Sequence, residues 1–238
     1  MMGADLLGQL ALFPILDRIA VIFLLASTFT VGWLIERPSG RHPSVTVRMA
    51  DFRREWMRQL VTRQPRIFDA SVLGTLRQGT SFFASTCVIA IGGVLALMGN
   101  SERLAGLAID LNGSRVPPLV WQAKLGLVAL LLTAGFLKFV WANRLFGYCA
   151  VVMAAVPNDA DDAMAYPRAA QAAEINIRAA WNFNRGLRWM YFALAALAWL
   201  AGALPMIAAT MVTFWTLWSR EFLSNSHRIL TAPPPRGP

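Results

Sequence analysis

Cysteine and histidine are nearly missing from this chain, and each shortage excludes a kind of chemistry. There are 2 cysteines and 2 histidines in 238 residues. Cys87 lies inside an apolar block and Cys149 follows a charged junction, which places them at different depths, so no disulfide is expected. Each thiol reads as a small buried hydrophobe. His42 and His227 flank the apolar blocks rather than enter them. That argues against haem held by paired histidines inside a membrane and against a His-rich zinc site. Neither a cofactor nor a metal is expected. No Ser-His-Asp set, glycine-rich phosphate loop or HExxH appears, and no two acids stand out as general acid and base. No catalytic residue can therefore be named, which argues against an enzyme. The run Asn158-Asp159-Ala160-Asp161-Asp162 lacks the glycine and closing glutamate of a calcium loop and reads as a solvated helix start.

Charge is scarce too: 15% of residues are charged and 56% hydrophobic, where a soluble domain is nearer a quarter charged. The apolar residues cluster in long blocks, the mark of a membrane protein. Phe13–Ile35, ended by Glu36-Arg37-Pro38, is long enough to cross a bilayer. Its uninterrupted core and lack of a small-residue cleavage site separate it from a secretory signal. Further spans are expected over about 80–98, 119–137 and 189–218, the last with a kink at Pro205. The second carries Ser81, Ser85, Gly92 and Ala96 at helical spacing, read as a helix–helix contact.

The connectors are helical as well. Val45, Met49, Phe52, Trp56 and Leu60 form an apolar stripe with arginines on the other faces, a basic amphipathic helix on the membrane or packed on its neighbours. Beyond Lys138 the apolar pattern of the third span continues to Val156 without a turn signal. From Leu119 that is about 56 Å of helix at 1.5 Å per residue, against a hydrocarbon core of about 30 Å. The second half should therefore stand in the cytoplasm. The expected architecture is all-α and polytopic, with four transmembrane helices whose extensions form a cytoplasmic helical layer. Residues 1–224 make one membrane domain with connectors 41–78 and 138–188, and 225–238 a disordered proline-rich tail.

Orientation follows from basic residues. Connector 37–78 holds nine arginines against Asp51, Glu55 and Asp69, and connector 138–188 has six basic against four acidic residues. Loop 100–118 balances Arg103 and Arg115 against Glu102 and Asp110. The two basic connectors are thus expected inside, with both termini outside, in the cell (inner) membrane. The basic tail beyond Trp218 votes the other way. The net charge of +9 suits the anionic lipids of the cytoplasmic leaflet, and no motif beside it points to nucleic acid.

Two sets of charges need partners. Asp17 and Lys124 should lie near the outer ends of the first and third spans, with Glu36 and Lys138 near their inner ends. Pairing across them would set the two spans side by side. Arg77, Lys138, Arg144, Arg185 and Arg188, with Asn182 and Asn184, should gather at the inner surface, a candidate site for an anion or a lipid head group. The plainer reading is a positive-inside anchor.

Several segments together resemble a known family. They are Arg66-Ile67-Phe68-Asp69 through Ser81-Phe82-Phe83-Ala84-Ser85-Thr86, and Asn182-Phe183-Asn184-Arg185-Gly186-Leu187-Arg188-Trp189-Met190-Tyr191-Phe192 with Trp199 and Pro205. His42-Pro43-Ser44 and Arg144-Leu145-Phe146-Gly147-Tyr148 add to them. The chain is similar to the bacterial and plant membrane family of domain of unknown function 599, over roughly 14–224. Met190 departs from the aromatic or small residue expected there. The resemblance implies a fold and a membrane location but no activity. Three functions stay open: a non-catalytic accessory, scaffold or assembly component; an oligomeric channel or small transporter, with anions favoured; and a lipid head-group enzyme. A homo-oligomer and a larger membrane complex are both open as partners.

Overall fold

The computed structural model describes residues 13–37, 42–100 and 117–232. Most of loop 100–118 and the last six residues of the expected tail lie outside these. Among the described residues the chain is helical and has no strand. The helices are α1 (Ile15–Glu36), α2 (Val45–Leu60), α3 (Ile67–Gly99), α4 (Pro118–Ala154), α5 (Ala165–Leu197), α6 (Ala203–Phe222) and α7 (Asn225–Thr231), with a 3₁₀ turn at Ala198–Ala201. The helix α7 falls inside the segment expected to be disordered.

Local chemistry sets the ends of these helices. Pro118 occupies the first turn of α4, where its missing N–H costs nothing. Ser44 caps α2, its hydroxyl oxygen accepting from the Val47 N–H. Three helices, α1, α3 and α4, are long and apolar enough to cross a membrane. Helices α3 and α4 have 33 and 37 residues, so at 1.5 Å per residue they measure about 50 and 55 Å and far exceed a bilayer core. Their surplus length packs with α2 and the first half of α5 around Met57, Leu73, Phe146 and Ala172. A second core, around Leu24, Leu125, Leu132 and Phe192, lies among the membrane-length portions.

The longest contact is between α4 and α5. Gly135 and Gly186 face each other there: a Cβ on Gly135 would come 3.3 Å from the Gly186 carbonyl oxygen, and one on Gly186 would lie 2.7 Å from the Phe139 ring. Phe139 also stacks on Phe83 and meets Phe183 edge-on, with centroids 5.6 Å apart in each pair. Small residues thus let two backbones approach, the usual device where lipid removes any hydrophobic drive between helices.

Three expectations need correction. The expected single span 189–218 is broken. Gly202 adopts φ 127°, open only to glycine, and Pro205 sits in the first turn of α6 rather than mid-helix. The chain reverses there, so α6 runs antiparallel to α5. Trp199 lies beside Asp17, while Arg220 donates to the Tyr191 hydroxyl over 3.1 Å. An uninterrupted crossing would have carried Trp218 to the Asp17 end; the hairpin returns it to the Glu36 end.

The expected side-by-side packing of the first and third spans is not the main contact of either. Helix α1 packs chiefly on α6 and α5, and α4 chiefly on α5 and α3, with the returning α6 beside α1. Finally, α3 meets α4 through Leu73, Thr80, Cys87 and Val94, while Ser81, Ser85, Gly92 and Ala96 are exposed. Among the described residues the small-residue face is not a contact within the chain.

Gly186 gives a direct test of the α4–α5 approach. Gly186→Val should lower unfolding stability in detergent by about 1–3 kcal/mol through overpacking. Gly74→Ala, whose added Cβ meets nothing within 4 Å, should be neutral or stabilise by up to about 1 kcal/mol.

Candidate functional site at the Glu36 junction

Helix α1 ends at Glu36 and α2 begins nine residues later, tied back by the Ser44 hydroxyl, which donates to the Ile35 carbonyl over 2.7 Å. Helix α5 runs past this corner. It places Asn176, Ala180, Asn184 and Arg188 at steps of four, one face of a helix. Each polar member of that face meets a partner from another element. The Arg53 guanidinium donates to Asn176 Oδ1, and Asn176 Nδ2 points to Cys149 Sγ at 3.5 Å. Asn184 Nδ2 lies 3.4 Å from Thr46 Oγ1. Thr46 donates through both its backbone N–H (2.9 Å) and its hydroxyl (2.8 Å) to Glu221 of α6.

At the end of this seam Glu36 accepts from two arginines. Arg185 binds it in bidentate fashion, Nε to Oε1 at 2.8 Å and Nη2 to Oε2 at 2.5 Å, and Arg188 Nη2 also reaches Oε1. The Arg188 side chain is only 7% exposed and Glu36 18%. Burying charge is costly unless each ion is paired and hydrogen-bonded, and here the planar forks of arginine satisfy both carboxylate oxygens. Lys138 of α4 lines the same cavity, about 310 Å³ in volume, which Phe29, Trp33 and Trp189 wall. Three cations thus surround one carboxylate. Among the described residues Lys138 forms no ion pair.

The expected basic ring divides. Lys138, Arg185 and Arg188 come together, and Asn184 lies next to them on Thr46. Asn182 is buried and donates to the Arg178 carbonyl of its own helix. Arg77 lines a different cavity of about 320 Å³, with Arg66 and Asn158. Arg144 is exposed and donates to the Tyr148 hydroxyl over 2.5 Å. The carboxylate proposed to meet Lys138 is taken by the two arginines of α5. At the other end Asp17 and Lys124 meet through Trp199: its indole N–H donates to Asp17 (2.7 Å), and Lys124 donates to its carbonyl (2.9 Å).

Thr46, Arg53, Asn176 and Glu221 were not anticipated. The apolar stripe on α2 divides: Leu60 is buried and Trp56 half-buried, Met49 and Phe52 are exposed, and Thr46, Ala50 and Met57 also pack inward. The four-residue spacing of Asn176, Asn184 and Arg188 was the available signal. Burial pushes the Arg53 guanidinium below its ordinary value, and burial pushes the Cys149 thiol up, which leaves Cys149 a protonated thiol and a weak nucleophile. Among the described residues no three His, Cys, Asp or Glu side chains converge as metal ligands. What the junction offers chemically is a set of fixed hydrogen-bond donors and positive charge beside an aromatic wall.

Removal of the shared carboxylate should expose how much rests on it. Glu36→Ala leaves Arg188 buried without a partner and should cost about 3 kcal/mol in detergent unfolding. Glu174→Ala removes only the exposed contact with Arg54 and should cost under about 1 kcal/mol.

No curated protein and no solved structure matches the chain. A family model does, over residues 19–226, and its description is protein of unknown function, DUF599. The junction residues Asn184, Arg185 and Arg188 fall within that match, as do Glu36 and Lys138. By this coverage the chain belongs to the DUF599 family.

Proposed function

We propose that the protein is a non-catalytic component of the inner membrane, an accessory or assembly module that binds anionic lipid head groups at the junction of its membrane helices and a cytoplasmic helical layer. The observation that carries this reading is the cluster at Glu36. One carboxylate among Arg185, Arg188 and Lys138 leaves positive charge facing a cavity walled by Phe29, Trp33 and Trp189. Such a site sits where the positive-inside pattern of the connectors places the inner surface, and anionic lipids are the abundant anions there.

The topology that goes with this function has five crossings. The chain passes outward to inward along α1, back along α3, inward along α4, outward along the end of α5 and inward along α6. The basic tail then lies inside, in agreement with its own charge. The oligomeric channel remains a second reading, favoured by one observation: the exposed face of α3 carries Ser81, Ser85, Gly92 and Ala96, a surface on which copies of the chain can associate.

Two measurements check the proposal. A reporter active only in the cytoplasm, fused after Pro238, should be active; silence there would restore an even number of crossings. Native mass spectrometry of the detergent-purified protein should show phosphatidylglycerol retained in preference to phosphatidylcholine. Lys138→Gln should reduce that retention about fivefold, the equivalent of roughly 1 kcal/mol for one basic residue at a lipid surface. Equal retention of the two lipids would remove the head-group reading.

A further inference from the structure

Two charged side chains of the polar seam stand without an opposite charge in contact. Among the described residues Arg53 donates to the neutral amide of Asn176, Glu221 accepts from Thr46, and neither forms an ion pair. Both are half-buried, and a charge withdrawn from water is costly without a partner of the other sign. Arg188 and Arg220 line a neighbouring cavity with Glu221, but Arg188 is bonded to Glu36 and Arg220 donates to Tyr191.

Arg53 and Glu221 nevertheless line one cavity, about 270 Å³ in volume, formed between α2, α5 and α6. They do not meet across it. Arg53 stands at the Asn176 end of the seam, and Glu221 at the end where Thr46 and Asn184 lie together. On α2 Thr46 and Arg53 are seven residues apart, close to two turns, so they share a face about 10 Å long. The cavity thus has a positive pole and a negative pole. Ala50 and Ala180 contribute only methyl groups to its wall, where larger side chains would fill the space. Trp181 adds an aromatic surface, and its indole N–H is buried without a protein partner among the described residues.

This lining selects by charge. A simple anion would meet the like charge of Glu221, and a simple cation that of Arg53. Water fills the space but brings no charge. A molecule with a carboxylate at one end and an ammonium at the other answers both poles, and an ammonium is also attracted to an indole face. A water's share of liquid volume is about 30 Å³, so the cavity has room for roughly nine non-hydrogen atoms. We propose that this cavity is a binding site for a short ω-amino acid, its carboxylate on Arg53 and its ammonium on Glu221 beside Trp181. The site is separate from the Glu36 junction and does not depend on the head-group reading. Its ligand bridges α2 and α6 across α5, so occupancy holds the returning α6 in place.

The test is isothermal titration calorimetry on the detergent-purified full chain. The probes are γ-aminobutyrate, its carboxylate-only analogue butyrate and its ammonium-only analogue n-butylamine. γ-Aminobutyrate should bind at one molecule per chain and raise the unfolding temperature as its concentration rises. Each analogue lacks one charged hydrogen bond and should bind about tenfold more weakly or worse. Glu221→Gln should reverse the order, with butyrate binding better than γ-aminobutyrate, and Arg53→Gln should favour n-butylamine. A merely structural role for either residue leaves the order of the three probes unchanged. Absence of saturable heat with γ-aminobutyrate, or equal affinity for all three probes, would overturn the proposal. If a variant fails to fold, the order of the probes on the wild-type chain decides alone.

Discussion

Between α4 and α5 the distance is set by two glycines and a ring. Gly135 and Gly186 remove the Cβ atoms that would keep the backbones apart, and Phe139 fills the space over Gly186. Helix α5 cannot move relative to α4 without lifting off that ring. Because α5 carries Asn176, Asn184, Arg185 and Arg188, its position relative to α4 determines where every polar partner of α1, α2 and α6 must stand. Lys138 lies one residue from Phe139 on the same helix, so that cation and the close approach are fixed together.

The polar seam on α5 shows how charge is tolerated at this depth. Its polar face reaches partners on other elements: Asn176 meets Arg53 of α2 and Cys149 of α4, Arg188 meets Glu36 of α1, and Asn184 lies on Thr46 of α2, which in turn binds Glu221 of α6. Hydrogen bonds with donors or acceptors that are ionised are stronger than neutral ones, and in a place shielded from water the loss of one partner is expensive. The seam therefore fixes the order of the helices more than it adds to net stability. Apolar packing alone, on Leu, Val and Ala surfaces, would permit several rotations of α5; one arginine that needs one carboxylate permits far fewer.

Much of this was readable from the residues, and the failures have physical causes. The length of α4 followed from an apolar pattern that runs to Val156 with no turn signal. The contacts of α2 followed less directly, since of its stripe Val45, Met49, Phe52, Trp56 and Leu60 only Leu60 is fully buried. A basic helix that packs through Thr46, Ala50 and Arg53 hides its contacts in polar residues, which hydropathy counts as exposed. The hairpin was missed for a related reason. Hydropathy is nearly continuous from Trp189 to Trp218, and the reversal depends on a single glycine whose positive φ leaves no trace in composition. Pro205 was noticed, but three residues of offset turn a mid-helix kink into a helix start. The junction itself was located by charge: Glu36, Lys138, Arg185 and Arg188 stood out as ions next to apolar blocks. Their pairing was not legible, because it depends on which helices are neighbours, and that depends on the hairpin.

The same reversal at Gly202 bears on the order in which the molecule can be completed during synthesis. Helix α1 emerges first, yet its main neighbour is α6, and the N-terminus of α2 is bound by Glu221. The Pro43 carbonyl meets His227, later still. The first crossing and the corner after it thus wait, without their final partners, until almost the whole chain has left the ribosome, while α4 and α5, joined by ten residues, can pair as soon as they are made. The α4–α5 contact is thus available to the nascent chain before the contacts that tie α1 and the corner after it to α6 and α7.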